Sequence, residues 1–162
     1  MDRDSEEVLA VVRASPGRRF LGILSLSVLG FLLIYIAFAQ PPSVLMWQVF
    51  LLVVGGISLW GADMMRRATA SCVVLTETAL SDADGTLIAR MEDIASIDRG
   101  FFAFKPSNGF LVRLTHAEGR KWRPGLWWRI GNRVGVGGMT PGHQAKNMSE
   151  IIAIILARRD GI

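Results

Sequence analysis

The chain has 162 residues, 51% of them hydrophobic, with a mean hydropathy of +0.36 and a formal net charge of +4. That length allows one ordinary domain and a little more, and the apolar content is too high and too unevenly spread for a typical soluble domain. Residues 20–62 carry no charged side chain, so all 18 Lys/Arg and 14 Asp/Glu fall in the remainder, while a single cysteine, Cys72, excludes an internal disulfide framework and any Cys-based zinc cluster.

Residues 1–19 hold four acids and four Arg. "DSEEVLAVVR" predicts a short helix, with Asp4 and Glu7 at capping-box spacing, in a cytoplasmic N-terminal segment. Next comes "FLGILSLSVLGFLLIYIAFA", residues 20–39, an apolar run whose helical length of about 30 Å matches a bilayer core. After "QPPS", the run "VLMWQVFLLVVGGISLWGA", residues 44–62, repeats the pattern. Pro41 and Pro42 cannot continue a helix and mark a tight turn between antiparallel spans. A soluble helical pair would show polar residues on an outer face; these runs do not, and residues 20–62 read as a transmembrane hairpin. Tyr35, Trp47 and Trp60 lie toward span ends, as interfacial aromatics do.

Arg13, Arg18 and Arg19 precede the first span, Arg66 and Arg67 follow the second, and the intervening turn is uncharged. The positive-inside rule then predicts that both termini are cytoplasmic. "AFA" before Gln40 has the form of a signal-peptidase site, but the preceding apolar run is longer than a usual signal core. Gly55 and Gly56 permit close helix contact, within the hairpin or with a partner's span.

Residues 63–70 read as a tether of at most about 26 Å when extended, leading to a domain over residues 70–162. Cys72 is expected as a small buried side chain at a strand start. "SCVVLTETAL", "TLIAR" and "IASID" are strand-like, with a turn at Asp84-Gly85. In "FFAFKPSNGFLVRLTHAEGRKWR", Phe102 and Phe104 alternate with Ala103 and Lys105, "PSNG" is a turn, and Phe110, Val112 and Leu114 form an inward face. A second turn is expected at "AEGR", giving an antiparallel meander. Met148, Ile151, Ile152, Ile155 and Leu156 recur at helical spacing, with Arg158 and Arg159 at the expected C-terminus and Gly161 beyond it. The fold class is therefore a two-helix transmembrane hairpin plus a small mainly-β (α+β) domain closed by a C-terminal helix.

The pattern formed by Leu75-Thr76, Leu80, Gly85, Ile88, Asp93-Ile94 and Ile97, after a membrane hairpin and before a C-terminal helix, resembles that of bacterial pleckstrin-homology-like (PH-like) membrane proteins. The resemblance covers about 90 residues in outline and implies a seven-stranded barrel capped by the helix, acting as a binding or scaffolding module. It brings no catalytic residues to carry over, and residues 119–138 stand outside its pattern.

The chemistry-bearing residues are few. His116 and His143, the only histidines, read as a hairpin-edge and a helix-start position, without a carboxylate cluster to make a metal site. Asp82, Asp84, Glu92, Asp93 and Asp98 read as solvated turn acids, and the calcium-loop pattern is absent. "GNRVGVGG" lacks the Lys of a P-loop and the strand-to-helix setting of a dinucleotide fingerprint, so its glycines read as bends. No enzyme activity, cofactor or metal is expected.

What stands out is charge. Residues 99–133 hold eight Lys/Arg against one acid, Glu118, a local +7 that exceeds the +4 of the whole chain. The candidate binding residues are Arg120, Lys121, Trp122, Arg123, Trp127, Trp128, Arg129 and Arg133. Cations with tryptophans suit anionic lipid headgroups or a protein hot spot. A short tether to the membrane argues against nucleic acid as the partner. An alternative use of Trp127 and Trp128 is to straddle a strand, one in the core and one outside. The sequence thus predicts a non-enzymatic accessory, assembly or scaffold protein that docks another membrane protein or complex, with an anionic-lipid-binding, membrane-orienting module as the alternative.

Overall fold

The computed structural model describes residues 7–98 and 106–161. The chain divides into two units: Pro16–Arg67, and a second built from the chain up to Ser15 together with Ala68 onward. This differs from the linear order of segment, hairpin and domain expected above. The hairpin is an insertion between two strands of one β domain.

In the hairpin unit, α1 spans Pro16–Ala39 and α2 spans Leu45–Ala68. Each has 24 residues, about 36 Å of helix, and both are long and apolar enough to cross a membrane. Their large apolar side chains point outward, Phe31, Tyr35, Trp47 and Trp60 among them. Gly30 and Gly55 let the helices approach: a Cβ on Gly55 would lie 2.8 Å from Ile34 Cγ1 and 3.1 Å from Gly30 O. Gln48, the one amide in the spans, donates to Ala37 O at 2.9 Å, so its polarity is satisfied inside the pair. Both helices run past the predicted spans, and residues 63–68 continue α2 rather than forming an extended tether. Asp63 pairs with Arg66 and Arg67, each at 2.7 Å, which supports that last turn.

The β unit holds two antiparallel sheets. The first has the order β1-β2-β3-β4, from Ala10–Arg13, Cys72–Leu75, Ala79–Asp82 and Leu87–Arg90. The second has the order β5-β6-β7, from Ile94–Asp98, Phe110–Arg123 and Trp127–Val136. A 3-10 turn, Met91–Asp93, carries the chain between them. The strands form two sheets among the described residues, not the closed barrel expected.

β1 overturns the predicted N-terminal helix over its described part; Asp4 of the proposed capping box lies outside the described residues. Ala10 and Val12 alternate into the core and β1 pairs with β2, Arg13 opposite Cys72. Tertiary pairing outweighs the helical propensity of this short stretch. Cys72 starts its strand as expected and is half-buried.

The hairpin after β5 is also different. Phe102, Ala103, Phe104 and Lys105 lie outside the described residues, whereas "PSNG" does form a turn, with Gly109 N–H donating to Pro106 O at 3.1 Å. "AEGR" is not a turn. It lies inside β6, where the register with β7 shifts between Arg113 and Glu118 and again before Lys121. These bulges bend the long ribbon. The reversal comes at "RPGL", residues 123–126, where Leu126 N–H donates to Arg123 O at 3.1 Å and Gly125 adopts φ 80°. Pro then Gly at the two central positions is the chemistry of a type II turn.

α3, Gly142–Arg159, closes the core with Met148 and Ile152, both at 0% exposure, in one buried cluster with Val12, Leu75, Ile94 and Trp127. Burying each such side chain contributes about 1.5–3 kcal/mol. At its end Arg159 Nη1 donates to Ile94 O at 2.8 Å, tying the helix to the second sheet. Gln144 Oε1 accepts the N–H of Arg13 at 3.0 Å on the edge strand β1.

Candidate functional site

Seven of the eight candidate residues lie on the half of the β6–β7 ribbon next to its turn, where Lys121 faces Arg129, Trp122 faces Trp128 and Arg123 faces Trp127, and Arg133 stands farther along, opposite Arg113. Strand alternation then sorts them. Trp127 turns inward and is 1% exposed, its indole N–H donating to Asp82 Oδ2 at 2.8 Å. Trp122 turns outward and is 61% exposed. Trp128 is half-buried, its indole lying over Gly135, where a Cβ would come within 2.4 Å of Cε2. So Trp127 and Trp128 do straddle the strand.

Two of the cations are structural. Arg129 is 6% exposed; it pairs with Glu118 and donates to Gly119 O at 3.0 Å and Ile88 O at 2.8 Å, binding the ribbon to β4. Arg123 pairs with Asp84 and stands 3.7 Å from Asp82 Oδ2. These contacts remove Trp127 and Arg129 from any exposed face and engage Arg123 within the fold. Arg120, Lys121 and Arg133 remain exposed, as does Arg113 opposite Arg133, and none has an ion-pair partner among the described residues. Ile130, absent from the predicted set, adds an exposed apolar side chain two positions beyond Trp128.

Asp82 is not a solvated turn acid. It is 1% exposed, accepts from Trp127 and Ser71, and lies where β3 enters the β3–β4 turn. An alternating strand pattern places residue 82 on the inward side with Leu80, a signal present in the sequence but masked by the "SDADG" turn composition. Asp84 is a turn acid: the backbone N–H of Thr86, first, then its hydroxyl and the Arg123 guanidinium hold the carboxyl below its ordinary 3.8.

Spatial proximity gathers one group that the sequence keeps apart. Ligand atoms of Asp93, His116 and Glu118 lie within 4.8 Å of one another. His116 Nε2 is 3.4 Å from Asp93 Oδ1, its Nδ1 is 2.9 Å from Thr115 Oγ1, and Glu118 already serves Arg129. The expectation that His116 stands apart from carboxylates is thus corrected, because the β6 bulge turns it toward the 3-10 segment. A further feature without a sequence signal is an open groove of about 1070 Å³ between β2–β4 and the end of α3, lined by Val74, Ser81, Leu87, Arg90, Ile155 and Arg159.

No family model, no curated protein and no solved structure matches this chain. Two helices able to cross a membrane and a small β domain with a C-terminal helix are what the fold itself establishes.

Proposed function

We propose that the protein is a non-enzymatic accessory or assembly subunit of a bacterial inner membrane, anchored by α1 and α2, with both termini and a PH-like β domain in the cytoplasm. It docks another membrane protein complex through its spans and its basic-aromatic face. The observation that carries this reading is the exposed, unpaired Arg120–Lys121–Trp122 stretch on a domain that joins both helices by only two and three residues. Arg19 and Arg66 meet at one end of the hairpin, where Arg19 Nη2 donates to Arg66 O at 3.3 Å, in keeping with a cytoplasmic basic end. Gly56 and Gly61 face open space, leaving small residues on the hairpin's outer side for a partner helix. Seven strands among the described residues, one of them ahead of the hairpin, and a C-terminal helix support the PH-like resemblance in element count.

Purification of the intact protein in mild detergent tests the reading. A membrane protein should co-purify stoichiometrically and be lost from an Arg120→Glu/Lys121→Glu variant. A lone monomer by mass measurement, unchanged by those substitutions, would rule it out. Arg123→Glu is unsuitable for this purpose because Arg123 also holds Asp82 and Asp84. Anionic lipid as the occupant of the face is the second reading, favoured by where the ribbon's turn lies.

A further inference from the structure

We infer that the β6–β7 turn is a membrane-contacting tip: Trp122 enters the interfacial layer of the bilayer while Lys121 and Arg120 engage anionic lipid headgroups. The inference rests on the reading that α1 and α2 span a bilayer and takes up the second reading of the face; where it holds, the complex is docked by the spans, and Arg120→Glu/Lys121→Glu leaves co-purification intact.

The chain leaves the β unit after Ser15 and re-enters it at Ala68, so these residues are the points at which the domain is joined to the helices. The turn is built onto the residues beside them. Met139 O accepts the N–H of Ser15 at 2.7 Å, and the N–H of Met139 donates to Gly125 O at 3.0 Å. A Cβ on Gly125 would lie 3.1 Å from Thr69 Cγ2 and 3.2 Å from Met139 Cγ. Gly137 N–H donates to Leu126 O at 2.9 Å, so the bent ribbon returns its turn to the same place. The turn therefore lies beside Thr69 and is joined to Ser15 through Met139.

Trp122 stands one residue before this turn and Lys121 two. Its 61% exposure sets a large indole on the outer face of the ribbon. A packed core takes Trp127 from the same turn, whereas Trp122 is left largely exposed. An indole at the headgroup level is favoured by its amphipathic ring, and a leaflet bearing anionic lipid attracts neighbouring cations. Arg123 and Arg129, neutralised by acids of the domain, hold the tip's shape. The charge beside Trp122 that has no ion-pair partner among the described residues is that of Arg120 and Lys121, which matches an anionic surface.

The test uses the full chain in nanodiscs of phosphatidylcholine, with or without phosphatidylglycerol, carrying lipid brominated near the headgroups. Quenching of Trp47 and Trp60 in both disc types reports that the helices span; its absence would sink the membrane reading itself. The Trp122 contribution is the difference between the native protein and Trp122→Phe, with buried Trp127 as an unquenched reference. Trp122 should be quenched about twofold more in anionic discs than in neutral ones, and Arg120→Glu/Lys121→Glu or high salt should abolish that excess. Equal quenching in the two disc types would overturn the role given to the cations. Trp122 open to aqueous acrylamide and untouched by brominated lipid would overturn the contact. Shielding from both quenchers would assign the tip to a protein instead.

Discussion

Asp82 receives three groups at one buried carboxylate: the indole of Trp127, the hydroxyl of Ser71 and the guanidinium of Arg123. Ser71 lies just after α2, Asp82 on β3 and Trp127 just after the ribbon's turn, so one side chain ties three remote stretches of chain. Removing it would leave the Trp127 N–H buried without an acceptor, and an unsatisfied buried donor costs about 1–3 kcal/mol. Asp82→Ala should therefore lower the thermal midpoint of the purified protein clearly. Asp84→Ala, on the exposed side of the same turn, should lower it much less. Equal losses would show that the Asp82 network contributes no more than a surface ion pair. The two acids are two residues apart and of one type. Their different roles follow from where β3 ends: Asp82 is its last, inward-facing residue, whereas Asp84 lies in the turn beyond it.

At the scale of elements, α1 and α2 meet where both lack a side chain. Gly30 and Gly55 leave no room for a methyl group, while Gly56, one residue on, has nothing within 4 Å. Gly55→Ala should push the helices apart and destabilise the hairpin by about 1–3 kcal/mol. Gly56→Ala should be neutral or better. Thermal stability in detergent distinguishes them, and equal effects would mean that the helices do not pack along Gly55. The two glycines cannot be told apart in the sequence, because only the rotation of α2 about its axis decides which one faces α1. The ribbon teaches a similar lesson. "AEGR" has turn composition and "RPGL" has turn geometry; Pro followed by Gly wins, since Gly125 sits at φ 80° and the glycine of "AEGR" continues a strand.

For the whole molecule, the consequential feature is that β1 and β2 are hydrogen-bonded neighbours separated by a 24-residue helix, a short turn and a second 24-residue helix. A fragment starting at residue 70 lacks β1, and with it Val12, which is 0% exposed in the core. It should be largely unfolded by circular dichroism. Replacing residues 16–67 with a short turn, so that Arg13 still faces Cys72, should yield a soluble, cooperatively melting domain. Failure of that chimera, with the 70–162 fragment folding well, would show that β1 is dispensable. The interruption also means that any force on either helix reaches the same edge of one sheet within three residues.

By itself the sequence determined what depends on local composition: two uncharged apolar runs joined by Pro41 and Pro42, a C-terminal helix with Met148 and Ile152 inward, and turns at Asp84-Gly85 and "PSNG". Helix length, apolar periodicity and turn chemistry act over a few residues, so one chain suffices to read them. The tertiary structure decided the rest. It made Ala10–Arg13 a strand by offering β2 as a partner 60 residues away, drew Trp127 and Arg129 out of an exposed face, and brought the ribbon's turn to Ser15 and Thr69. Those outcomes depend on pairing and desolvation between distant segments. A basic-aromatic run looks the same in a sequence whether its charges meet water or their own buried acids.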